Sequence, residues 1–178
     1  MVIANLLDVV TGNEFDHDAT DTAEEKSMRS VYRVLAFLLA IEVLIQAMAI
    51  AYAIAGLGKW VADDGGVLNK QVVDSENASF PGVGGFATHA INGTMIIPIL
   101  VLLLLIASFF AKVPGGVRSA AILLLLVALQ VFLGIFSHSV PYVIVLHVLN
   151  AFAILGIAII AGRSASVAAE PARTSVAV

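Results

Sequence analysis

Seven carboxyl, amide and imidazole side chains stand inside otherwise apolar stretches of this chain: Glu42, Gln46, His89, Asn92, Gln130, His147 and Asn150. An eighth, His138, falls at the end of one such stretch. A polar group in hydrocarbon has no water to bond with, so each of them asks for a partner or a task. Imidazole has the widest chemistry of the set, because as a neutral ligand it binds iron and other transition metals without carrying net charge into lipid. His89 is followed four residues later by Gly93 on the same helical face, and His147 shares a stripe with Ala151, Ile154 and Ala158. Gln130, Gly134 and His138 repeat the four-residue spacing. Small residues beside a histidine, here Gly93, Gly134 and Ala151, leave room for a porphyrin plane and equally permit close helix contact.

Such residues need membrane helices to carry them. Of the 178 residues 60% are hydrophobic and 12% charged, and the mean hydropathy is +1.01. A soluble domain would be about 45–50% apolar and about 25% charged. A globule of 18.6 kDa leaves much of its surface exposed and cannot hide that excess, which excludes soluble globular and disordered classes. No cysteine is present, so disulfides, thiolate metal sites, iron–sulfur clusters, covalently attached c-type haem and cysteine nucleophiles are excluded as well. The nine Lys and Arg are scattered and the net charge is −4, leaving no basic stripe for nucleic acid.

A spanning helix needs about 20 mostly apolar residues, and four stretches qualify, at about 34–57, 86–111, 117–136 and 142–161. Gly56 and Gly58 are expected to close the first, Pro114-Gly115-Gly116 separates the second from the third, and Pro141 is expected in the first turn of the fourth. The Ser137–Pro141 connection is so short that the third and fourth helices must be antiparallel neighbours. The prediction is an all-α membrane protein, an antiparallel four-helix transmembrane bundle. Lys26, Arg29, Arg33, Lys112, Arg118, Arg163 and Arg173 fall on one side and only Lys59 and Lys70 on the other, which puts both termini in the cytoplasm. Residues 1–30 then form an acidic cytoplasmic tail, 31–162 the bundle with an outer loop at about 58–85, and 163–178 a disordered cytoplasmic tail. The polar residues of the second to fourth helices differ, and no internal repeat is read from them. The Ala/Val/Gly-rich composition suggests a multi-pass protein of a prokaryotic cell membrane.

In that topology His89 lies about one turn inside the outer end of the second helix, and His147 about 9 Å inside the outer end of the fourth. Both rings fall in the outer third of the membrane, with His138 near the same level. Two facing histidines inside a bundle suit a bis-imidazole haem. Their second ring nitrogens would be held by a backbone carbonyl or by an amide such as Asn92 or Asn150. Two strong axial ligands leave iron suited to outer-sphere electron transfer. Haem propionates would point to the outer loop, toward Lys59, Lys70 or Trp60.

The segment Leu129-Gln130-Val131-Phe132-Leu133-Gly134, followed by Pro141 and then Leu146-His147, joins a second helix that opens His89-Ala90-Ile91-Asn92-Gly93. Over roughly residues 86–155 this combination resembles one four-helix half of the haem A synthase family, and the small four-helix haem-b-binding membrane proteins similar to that half. The resemblance implies that the paired axial histidines of the second and fourth helices are His89 and His147. Family features missing here are a carboxylate three residues before the first histidine and an arginine after it, positions held by Phe86 and Ala90. The enzyme also joins two such halves. What the resemblance implies for a single half is haem b binding, in electron transfer or haem handling, rather than stand-alone haem A synthesis.

Other readings stay open at this point. His89 and His147 could simply hydrogen-bond across helices in a cofactor-free accessory subunit of a larger membrane complex or homo-oligomer. His138 reads first as a helix-end residue at the interface and second as a ligand. Glu42, with Gln46 one turn further on the same face, is expected to hydrogen-bond to Gln46 or to another helix, with a proton or quinone site as the alternative. The expected partners are membrane lipid and either a quinone or a redox protein docking at the outer loop.

Overall fold

The computed structural model describes residues 13–75 and 78–168, with side chains over 23–73 and 78–166. These residues form α1 (Asn13–Ala62), a short α2 (Lys70–Ser75), α3 (Gly84–Phe110), α4 (Gly116–Phe136) and α5 (Val143–Ala168), with no strand among them. Helices α1, α3, α4 and α5 are each long and apolar enough to cross a membrane.

Two helices outrun their expected bounds. Helix α1 has 50 residues, about 75 Å at 1.5 Å per residue, against a hydrocarbon layer of about 30 Å. It starts inside the stretch expected as a tail because residues 13–33 hold no Gly or Pro to stop it. It also runs through Gly56 and Gly58, since a lone glycine costs a helix only about 1 kcal/mol. Gly56 serves contact instead: a Cβ there would collide with the Pro81 carbonyl oxygen. Helix α5 continues to Ala168, so 163–168 is helical rather than tail. Pro141 lies in the turn before α5 and not in its first turn. Residues 1–12 and 169–178, Arg173 included, fall outside the described residues.

Helix α1 packs along α3 and α5, and α4 packs along the same two, so α1 stands diagonal to α4 and α3 diagonal to α5. The buried core occupies one half of the bundle, with Tyr32, Leu39, Val101, Leu104, Leu123 and Ile154 as its largest members and alanines such as Ala36, Ala120 and Ala158 between them. Helices in lipid gain little from expelling water, so close approach over small residues carries their association. At this end the Tyr32 hydroxyl donates to the Gly116 carbonyl at 3.2 Å, and Glu25 of α1 lies 3.9 Å from Lys112. The other half, which holds the histidines, has few buried apolar side chains: Ala53, Phe80 and Leu133.

The structure shows a correspondence that the sequence reading did not find, since buried positions of α1 and α3 recur in α4 and α5. Buried Tyr32, Ala36 and Leu39 of α1 correspond in register to buried Gly116, Ala120 and Leu123 of α4, 84 residues on, and Gln46 corresponds to Gln130. In α3 and α5, His89 and Asn92 correspond to His147 and Asn150. Further along, buried Ile97, Val101, Leu104 and Ser108 match buried Ile154, Ala158, Ala161 and Ala165, with the register shifted by one residue.

That extra residue sits in a π-helical turn, Asn92–Ile96, where the Ile97 N–H donates to the Asn92 carbonyl five residues back. Pro98 follows directly. Its ring crowds the carbonyl four residues before it, and a widened turn absorbs the clash and the lost donor. The helix pairs α1–α3 and α4–α5 thus present their histidines from diagonal helices.

Candidate metal centre

The two imidazoles meet between α3 and α5 with ring centres 6.2 Å apart and planes inclined at 55°. His89 Nδ1 lies 3.1 Å from the Gln46 carbonyl oxygen of α1, and His147 Nδ1 lies 3.1 Å from the Gln130 carbonyl oxygen of α4. A carbonyl only accepts, so in each ring Nδ1 carries the proton and Nε2 keeps its lone pair. This is the arrangement that prepares a histidine for metal binding through Nε2. Two imidazoles sharing one metal through Nε2, with metal–nitrogen bonds of about 2.0–2.1 Å, place their ring centres about 6 Å apart. The observed spacing agrees.

Why the sequence folds this way can be followed locally. The carbonyl of a glutamine in a regular helix is already engaged, but it can accept a second bond from a side chain on its outer edge. Gln46 adds a return bond, its Nε2 donating to the His89 carbonyl at 3.0 Å, beside the widened turn of α3 that loosens the local backbone ladder. In the other helix pair Gln130 Oε1 accepts from Asn150 Nδ2 at 2.7 Å, and the same nitrogen reaches the Leu126 carbonyl at 2.8 Å. The amides Asn92 and Asn150 therefore do not hold the ring nitrogens, as the sequence allowed; the glutamine carbonyls do.

Of the small residues expected near the histidines, Gly134 lies against His147 and Gly93 against Gln46. A Cβ on Gly134 would stand 3.1 Å from His147 Cε1, and one on Gly93 would stand 3.0 Å from Gln46 Nε2. Ala151 is half-buried on α5 next to Asn150. Donor chemistry, tautomers and ring spacing fit a haem iron held from both sides by His89 and His147. No group of three or more His, Asp or Glu side chains among the described residues is placed to hold a metal ion, so His138, exposed in the turn after α4, does not join the pair.

Glu42 bonds to neither Gln46 nor a histidine. Its Oε2 accepts from Asn92 Nδ2 at 2.7 Å, across the α1–α3 seam. Among the outer-loop residues, Lys59 lies 3.4 Å from Asp63 and 3.3 Å from Asp64, and Trp60 is stacked on Phe80, so both are already engaged locally. Missing from the sequence reading were the two glutamine carbonyls and the pairing of Asn92 with Glu42. A signal for them existed: an Asn three residues after each histidine marks equivalent helix pairs.

Compared with models of known protein families, with curated proteins and with solved structures, the chain matches none.

Proposed function

We propose that this is a bis-histidine, haem-b-binding membrane protein that transfers electrons, with its four spans antiparallel and both termini in the cytoplasm of a prokaryotic cell. Support comes from one observation above the others: two imidazoles at 6.2 Å whose Nδ1 atoms are both engaged by carbonyls. Each histidine would offer Nε2 to the iron from its own helix pair. Gln46 and Gln130 would fix the ring orientation and raise ligand basicity. Gly93 and Gly134 would leave room for the Gln46 and His147 side chains that set the ligand geometry, and the apolar core at the opposite end would hold the four helices in place.

A bound haem supplies one-electron chemistry, and two protein ligands leave no open position for oxygen. That favours an electron carrier over a haem-modifying enzyme, which would need a second site for a substrate haem. A redox difference spectrum of the purified protein tests the reading. Soret and reduced α-bands lost in His89→Ala and in His147→Ala support it, whereas a folded, colourless protein from haem-replete cells leaves the accessory-subunit reading in its place.

A further inference from the structure

Glu42 is where the two helix pairs part company. Its counterpart in α4 is Leu126, whose backbone carbonyl serves Asn150, while Asn92 turns to the Glu42 carboxyl instead. Around this carboxyl the hydrogen-bond count is one-sided. Gln46 and Asn92 are 8% and 5% exposed, and the buried oxygens Gln46 Oε1 and Asn92 Oδ1 have no hydrogen-bond partner. The amide nitrogens of both residues are already engaged, with the His89 carbonyl and with Glu42. The seam therefore offers acceptors and lacks donors, and a buried acceptor left unpaired is costly.

Both amide oxygens are closed off between α1 and α3, so a ligand reaches them only from the lipid and by parting these two helices locally. Glu42 is half-buried, and the surface on either side is exposed and apolar, Leu38 and Ile41 on α1 and Ile91 and Met95 on α3. A ligand that reaches it must dissolve in hydrocarbon and bring O–H donors. Gln46 also ties the seam to His89 by hydrogen bonds in both directions.

We infer that Glu42, Gln46 and Asn92 form a binding site for the hydroxyl groups of a membrane hydroquinone, docked from the lipid beside the His89 side of the metal centre. This names the class of electron donor and rests on the electron-transfer reading for its purpose, although binding itself needs no haem. Gln46 Oε1 and Asn92 Oδ1 accept from the ligand, and Glu42 anchors Asn92 so that its oxygen stays turned to the ligand.

The test is equilibrium binding of a decyl-substituted hydroquinone to the full chain in lipid nanodiscs, beside its dimethyl ether, decanol and empty discs. Saturable binding at one site is expected, weaker by about tenfold or more for the dimethyl ether, which has no donors, and for Glu42→Leu. Equal binding of the ether, equal competition by decanol, or partition no greater than into empty discs overturns the inference, the last meaning that water alone meets the acceptors. The ether comparison uses the unaltered chain, so it decides the matter even where Glu42→Leu does not fold. The optical spectrum of the same sample reports haem separately: a colourless chain that binds hydroquinone overturns the haem reading alone, and a haem protein that does not bind it overturns this inference alone.

Discussion

His89 and His147 reach each other across the bundle, ring centres 6.2 Å apart, from two helices that stand diagonally opposed. Their meeting depends on α1 and α4, which lie between them and hold each ring by a glutamine carbonyl. A pair built only for helix association would sit at a direct helix contact, where an interhelical hydrogen bond in lipid is worth about 0.6 kcal/mol on average. Here each ring uses Nδ1 for a helix carbonyl, which leaves the lone pair on Nε2.

Gly134 should be sensitive to size. A Cβ there stands 3.1 Å from His147 Cε1 and 3.3 Å from Nδ1, so Gly134→Leu must push the ring away from the Gln130 carbonyl. Haem content per protein, read from the Soret band, is expected to fall by about 10–100-fold, the range for a disturbed ligand-orienting contact. Gly134→Ala should lose less, because its neighbour need yield only slightly. Unchanged haem content in the leucine variant would show that the ring's position does not matter.

Asn150 carries stability as well as alignment. Asn150→Leu removes two bonds to α4 and strands Gln130 Oε1, for an expected loss of about 1–2 kcal/mol. Chemical unfolding in detergent should show the lower midpoint. A variant as stable as the parent would mean that the α4–α5 seam relies on close apolar contact alone.

The matching buried positions of α3 and α5 make an unusual prediction about deletions. Helix α5 keeps His147, Asn150 and Ile154 on the inner side with one residue fewer than α3 uses from His89 to Ile97. Deleting Thr94, within the π-helical turn, should therefore convert α3 to a regular helix with both its histidine and its core in register, and the protein should still bind haem. Deleting Ala153 from α5 has no such slack and rotates one part of the helix by about 100° against the other. Haem spectra of the two deletion variants check this, and loss of haem in both would count against the equivalence of the helix pairs.

Much of this was legible in the sequence, for reasons that can be named. Four apolar stretches separated by Pro and Gly fix the number and order of the long helices, since lipid demands length and hydrophobicity before anything else. His89 and His147 could be placed at one depth by counting from helix ends. The ends themselves were less legible: a run without Gly or Pro lets α1 begin at Asn13, and tertiary contact carries it through Gly56. The correspondence stayed hidden because one inserted residue before Pro98 breaks the alignment of α3 with α5, and because Glu42 replaces the leucine of the other helix pair. The carbonyl partners of the rings have no side-chain signature at all. Backbone acceptors are supplied by any residue, so only coordinates could assign them to Gln46 and Gln130.

The central claim concerns iron between two named imidazoles, and a reduced-minus-oxidised spectrum of the purified full chain, beside His89→Ala and His147→Ala, measures it most directly. The account predicts Soret and α-bands in the parent, their loss in each single variant, and unchanged helical circular dichroism in all three. A folded parent without those bands, or bands that survive in either variant, would contradict it.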